Sequence, residues 1–332
     1  MLICDENFRK KYEIPERFVI ICACNPYRVL TDSIKNLQFG LSMRNKEKRK
    51  LVYTVNPLPY SLLYFTIYFN DLTEETTMKY IQKMSDNIKF EVSVQYKQLI
   101  NNILMKSHLY ILKKGDVSSV SLREIERFRE IYEFFHEEYF KNFKNDETAE
   151  NIEIKSIILS IYICYYLRLP SNYLRNDYIN EIIKNNIPNI SFIEICKKET
   201  NFITEAVLSN EKGYAKNKAL KENIFSEFIC ILLKMPLIIC GKPGSSKSLS
   251  IRLLLDVMQG EDSKVEFFKQ FPKVVPSFYQ CSLTSTSDNL EKVFQNAYER
   301  LKNRDYKIIS LILMDEMGIA DESENIRNWI IL

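Results

Sequence analysis

Two short stretches carry residue types that could do chemistry together. The first is Gly241-Lys242-Pro243-Gly244-Ser245-Ser246-Lys247-Ser248-Leu249, which draws two of the chain's 7 glycines into one turn. Glycines let a backbone approach a ligand closely, and a following helix N-terminus offers unpaired N–H groups to an anion. The second stretch is Asp315-Glu316, at the end of the apolar run Ile308 to Met314. Lys–Ser after the turn, and paired acids after an apolar run, are the two halves of a nucleoside-triphosphate site. In that chemistry Lys247 reaches the β- and γ-phosphates, and Ser248 and Asp315 hold Mg²⁺. Glu316 then polarises an attacking water. The general loop pattern has a second glycine where this chain has Ser246. A serine is comfortable there only at negative φ, so altered phosphate binding is expected. The competing readings are a strand–turn–helix with a surface lysine, and a buried strand that ends in solvated acids.

Positioning these residues requires a parallel α/β unit. Pro236 opens the apolar run Leu237 to Cys240, which reads as a buried strand. After the turn, Leu249, Ile251, Leu253 and Leu254 mark an amphipathic helix. Ser277 to Ser282 reads as a second strand, and residues 289–303 as a helix through Leu290, Val293, Phe294, Ala297 and Leu301. The run from Ile308 to Met317 reads as a third strand. Strand, glycine turn, Lys–Ser and helix in this order are the context that a P-loop needs.

Upstream, Arg17 to Cys24 reads as a strand that delivers Asn25-Pro26 at its C-terminal end. An Asn–Pro turn ending a strand is the alternative. A basic cluster (Arg44, Lys46, Lys48, Arg49, Lys50) precedes a strand from Leu51 to Val55, and Asn56-Pro57-Leu58-Pro59 opens a helical region. Helices continue through residues 75–112 and break at Lys114-Gly115-Asp116. Ser121-Leu122-Arg123-Glu124 forms a capping box that predicts a helix from Leu122. Arg123 then sits in the first turn, where a cation is unfavourable by about 0.3–1 kcal/mol unless an anion offsets it. A bound phosphate would do so, as would Glu124 or Asp116. Residues 141–152 read as a polar linker. Residues 154–225 read as helical, with no evident chemistry.

Composition limits the alternatives. The 332 residues suffice for about two domains. With 46 basic and 43 acidic residues the net charge is only +3, which excludes a strong nucleic-acid or membrane field. The 8 cysteines form no CxxC pair, which argues against a zinc site and for reduced, mostly buried thiols in a cytoplasmic protein. The 2 histidines, His108 and His136, read as structural. Asp5 and Glu6 interrupt any signal peptide. The longest apolar run, Ser156 to Leu167, is too short to span a bilayer.

The motifs together resemble the mysterin family of giant RING-finger AAA+ ubiquitin ligases, which have a dynein-like motor core. The resemblance is carried by Ala23-Cys24-Asn25-Pro26-Tyr27-Arg28, by Val55 to Pro59 and by Gly115 to Phe128. It continues through Gly241 to Leu249, Ser282 to Ser287 and Leu313 to Gly318. It implies ATP and Mg²⁺ as ligands, neighbouring AAA+ modules as partners, and ubiquitin machinery by family only. It implies that residues 1–58 are the end of one AAA+ large subdomain, with Asn25 as its sensor 1. Residues 59–145 are then the helical lid with Arg123 as sensor 2, and residues 146–225 a helical linker. Residues 226–332 start the next module, with Gly241 to Leu249 and the two acids. Arg44 and Arg49 become arginine-finger candidates. Ser246 matches the family's own version of the loop. The chain carries only parts of two modules, so the isolated chain is expected to bind nucleotide weakly and turn over little or none. A dynein- or midasin-type motor without ubiquitin chemistry, and a scaffold that holds ATP without hydrolysing it, are the alternatives.

Overall fold

The structure is a computed structural model that describes residues 2–4, 11–13, 21, 60–67, 72–114, 120–144, 149–188, 190–209, 213–302 and 307–317. The chain divides into two units. The smaller comprises residues 1–36 and 43–69 and holds an antiparallel pair, β1 (Leu2–Cys4) with β2 (Lys11–Glu13), and a helical turn, α1 (Tyr60–Leu63). Asn25, Arg44, Arg49 and the predicted strand at 51–55 lie outside the described residues, as does the predicted strand at 17–24 apart from Ile21, which is exposed.

The larger unit is built on helices. α2 (Glu74–Asp86) is capped by Thr73, whose hydroxyl accepts from the Thr76 N–H, and α3 (Val94–Lys114) follows. α4 (Leu122–Glu133) starts where the capping box predicts: the Ser121 N–H donates to Glu124 Oε2 at 2.7 Å, and the Arg123 N–H donates to Ser121 Oγ at 3.3 Å. Past Glu133 it widens into π-helical turns over Phe134–Lys144. α5 (Ala149–Ile161), with a π turn at Tyr162–Tyr166, carries the longest apolar run. It is a buried core helix, and no described helix is long and apolar enough to cross a membrane. α6 (Asn172–Tyr178), α7 (Phe192–Val207) and α8 (Lys218–Leu232) complete the helical layer.

One contiguous apolar core runs from Ile81 to Val274 and joins these helices to the α/β segment. Its centre is aromatic: Phe135 stacks on Phe225, and Phe228 meets Phe268 and Phe271 edge-on at 5.8 and 5.2 Å. Aromatic pairs in offset or edge-on geometry add roughly 0.5–1.5 kcal/mol each beyond their burial. His136 belongs to this packing, stacked on Phe90 and held between Glu137 and Glu153. His108 is buried as well, and burial lowers its pKa. Cys164, Cys196, Cys230 and Cys281 are free and buried, whereas Cys240 is exposed.

The α/β segment follows α8. α9 (Lys247–Val257) leads through a 3₁₀ turn and the short α10 (Glu266–Lys269) into β3 (Lys273–Gln280). α11 (Ser287–Lys302) connects β3 to β4 (Ile308–Asp315). β3 and β4 pair in parallel over their full length, from Lys273 opposite Ile308 to Gln280 opposite Asp315. β3 begins four residues before the predicted strand and runs through Pro276. A proline is tolerated in an edge strand, and among the described residues β3 has a strand partner on one side only.

Two expectations are corrected. The polar stretch 141–152 is not a linker throughout, because the π turns run to Lys144 and α5 starts at Ala149. Leu237 to Cys240 is not a buried strand: it has no ladder partner among the described residues, and Leu237 and Ile238 are 41% and 74% exposed. Apolar composition sets a preference for a strand, but a strand exists only where a neighbour supplies its hydrogen bonds.

Candidate phosphate-binding site

The turn between Cys240 and α9 is shaped by its backbone. Gly244 has φ +81° and Ser246 has φ +60°, both left-handed. Ser246 therefore does not have the negative φ expected of a serine; it takes the conformation a glycine would adopt. Gly241 is needed for space: a Cβ there would lie 2.5 Å from Ser245 Oγ and 3.3 Å from its Cβ. Inside the loop the Ser245 N–H donates to the Lys242 carbonyl at 3.2 Å. Ser245 Oγ is buried with no hydrogen-bond partner among the described residues.

α9 starts immediately after Ser246 and has no side-chain cap; its first backbone bond runs from the Ser250 N–H to the Ser246 carbonyl, 2.9 Å. The leading N–H groups of such a helix are left to solvent or to a ligand. Lys247 Nζ donates to the carbonyls of Gly241 at 2.9 Å and Lys242 at 3.2 Å, so the ammonium lies over the loop. Ser248 is exposed, Leu249 half-buried against the core. Lys242 and Pro243 are exposed.

The acids stand at the end of β4. Asp315 and Glu316 are exposed; Glu316 has φ +52°, and its N–H donates to Asp315 Oδ1 at 2.9 Å. The parallel register carries one step further, with the Cys281 N–H donating to the Asp315 carbonyl at 3.0 Å. β4 is half-buried, with Ile309, Leu311 and Leu313 packed on the core. α9 is tied to this sheet through its C-terminal end, where the Val274 N–H donates to the Met258 carbonyl at 2.9 Å. The helix end thus meets the start of β3, while the acids close the opposite end of β4.

Arg123 is exposed in the first turn of α4 and makes no ion pair among the described residues. Glu124 beside it is engaged elsewhere, by Arg168 at 3.2 Å and Arg127 at 3.8 Å. Burial raises the Glu124 pKa, but hydrogen bonds from Ser121 and the Arg168 charge outweigh it and leave the carboxyl below its ordinary value.

Sequence reasoning missed the support behind the loop. Asn217 caps α8 through Oδ1 to the Leu220 N–H at 2.8 Å, and its Nδ2 donates to Ser246 Oγ at 3.4 Å. Asn223 Nδ2 donates to the Ser245 carbonyl at 3.2 Å. Ser250 Oγ lies 2.7 Å from Glu227 Oε1. Glu227 is buried between apolar neighbours, and desolvation pushes its pKa up to about 8 against the opposing bond from Ser250. The available signal was a carboxylate inside the run Ile224-Phe225-Ser226-Glu227-Phe228-Ile229. A charge there is out of place unless it has a partner.

A family model described as the RNF213 AAA domain matches residues 213–328, which include the loop and both acids. An E3 ubiquitin-protein ligase, rnf213-beta of Danio rerio, is 31% identical over 97% of this chain and 7% of its own length. The E3 ubiquitin-protein ligase RNF213 is 29% identical in both Homo sapiens and Mus musculus, over 92% of this chain and 6% of each relative. The chain thus spans only a small part of the curated relatives it matches, and it belongs to the RNF213, or mysterin, family.

Proposed function

We propose that this chain is an AAA+ segment that binds MgATP at the loop 241–249 and contributes to its hydrolysis within an RNF213-like E3 ubiquitin ligase. The observation that carries the proposal is the left-handed turn at Gly244 and Ser246 that opens directly into an uncapped helix. Such a turn leaves helix N-terminal amides for an anion, and the helix dipole favours negative charge there. The residues fit the ligand. Gly241 lets the Ser245 side chain pack where a Cβ would clash with it, and Ser245 Oγ is a buried hydroxyl that lacks a partner among the described residues.

Each side chain has a task. Lys247 exchanges its two carbonyl contacts for phosphate oxygens. Ser248 and Asp315 would hold Mg²⁺, which would neutralise phosphate charge when bound. Glu316 orients the attacking water and takes its proton. Lys242 and Pro243 shape the loop mouth, and Leu249 seats the first turn of α9 on the core. Asn25 and Arg123 serve the site of a neighbouring module, by family resemblance.

Binding of a fluorescent ATP analogue, with and without Mg²⁺, tests the assignment. Asp315→Asn and Ser248→Ala should each remove most of the magnesium dependence and leave metal-free binding within about twofold. Unchanged magnesium dependence in both variants would refute these metal ligands.

A further inference from the structure

Asn223 and Glu227 stand one turn apart on α8, and each reaches the loop region from behind. Asn223 Nδ2 donates to the Ser245 carbonyl at 3.2 Å, and Glu227 Oε1 lies 2.7 Å from Ser250 Oγ. Ser250 Oγ also lies 2.7 Å from the Lys247 carbonyl. A serine hydroxyl has one proton and cannot donate to both acceptors. A Glu227 that carries its own proton satisfies both: the carboxyl donates to Ser250, and Ser250 donates to the Lys247 carbonyl. Burial of Glu227, which disfavours the charged form, agrees with this.

The loop needs such support. Of the hydrogen bonds described for it, two come from Lys247 Nζ to the Gly241 and Lys242 carbonyls. Those two are given up when the ammonium turns to a ligand. The contacts from α8 are not, because neither uses a group that a ligand would claim. α8 is itself well anchored: Leu220, Ile224, Phe225, Phe228 and Ile229 are fully buried.

We propose that Asn223 and Glu227 are positioning residues that hold the loop 241–248 in its ligand-receiving shape, Asn223 through the Ser245 carbonyl and Glu227 through the Ser250 hydroxyl. The ligand's identity as MgATP rests on the function proposed above; the holding contacts do not.

The 332-residue chain, wild type and variants, would be compared by hydrogen exchange of the loop amides, by affinity for a fluorescent ATP analogue with Mg²⁺, and by melting temperature. Asn223→Ala should speed exchange at residues 244–248 and weaken the nucleotide about fivefold, the loss of one hydrogen bond, with melting unchanged. Glu227→Leu should loosen the loop in the same way while melting at or above wild type, because it removes a buried ionisable group. Glu227→Gln keeps a neutral donor and should restore wild-type exchange and affinity. Unchanged loop exchange in both Asn223→Ala and Glu227→Leu overturns the proposal, as does faster exchange with undiminished affinity. Faster exchange in a chain whose wild type binds no nucleotide keeps the holding role and overturns the MgATP assignment.

Discussion

Ser246 occupies a backbone conformation that costs a non-glycine residue about 1–2 kcal/mol. Its sequence context predicted the opposite sign of φ, because propensity weighs a residue alone, whereas here the turn into α9 dictates the conformation. Part of the cost is offset by Asn217, which donates to the serine hydroxyl and would find nothing on a glycine. Glu316 is also left-handed, at φ +52°. Strained residues thus stand at both candidate chemical positions, a pattern that points from strain to function. Lys234, the third such residue among those described, has a different cause: it stops α8, with the Met235 N–H returning to the Cys230 carbonyl at 2.8 Å. Glu227 gives a pH signature. Its carboxyl holds its proton in the fold up to about pH 8, against an ordinary value of 4.5. Between those values the unfolded chain has lost the proton and the native chain has kept it, so the Glu227 contribution to stability falls as pH rises. Glu227→Gln should therefore melt close to wild type near pH 5 and above it at pH 8. A parallel offset at every pH, measured by thermal denaturation in matched buffers, would contradict this.

At the scale of elements, α8 links the helical layer to the loop, and one ion pair fixes it. Arg175 on α6 places Nη1 3.0 Å from both carboxylate oxygens of Glu222, donates from Nε to the Leu169 carbonyl at 3.0 Å, and lies over the Tyr166 ring. Arg175→Met leaves the mostly buried Glu222 with only Lys218, at 3.7 Å, and frees the Leu169 carbonyl and the Leu167 carbonyl that Nη2 reaches at 3.3 Å, and should cost about 3 kcal/mol in a urea titration. A loss below about 0.5 kcal/mol would place this pair among surface bridges of little worth. Arg175 was not legible as a tie from the sequence, since its partner lies 47 positions away. Legibility followed locality elsewhere too. The α4 capping box and α11 were read within a few residues of their bounds, because each is set by contacts within its own stretch, and the apolar run of β4 was read correctly because β3 does supply its partner. Leu237 to Cys240 was misread because a strand depends on a neighbour that composition cannot supply. The polar face of α8 went unread because Asn217, Asn223 and Glu227 acquire meaning only against Ser245, Ser246 and Ser250, more than 20 residues on.

For the molecule as a whole, the helical core and the parallel pair share one apolar cluster, so the loop sits on a foundation laid by the preceding helices. The family was legible from motifs scattered over the chain's length, and the relatives align over 92–97% of it. Asn25 lies outside the described residues, and its role at a neighbouring site remains a proposal. The claim on which the functional assignment depends is that the turn at 241–248 receives a triphosphate. Calorimetric titration of the 332-residue chain with MgATP, in wild type and Lys247→Ala, tests it most directly. Saturable one-to-one binding that weakens by about tenfold or more in Lys247→Ala, as expected on losing a charge-assisted phosphate contact, is the predicted result. Equal affinity in the two proteins, or no saturable binding at millimolar nucleotide, would contradict it.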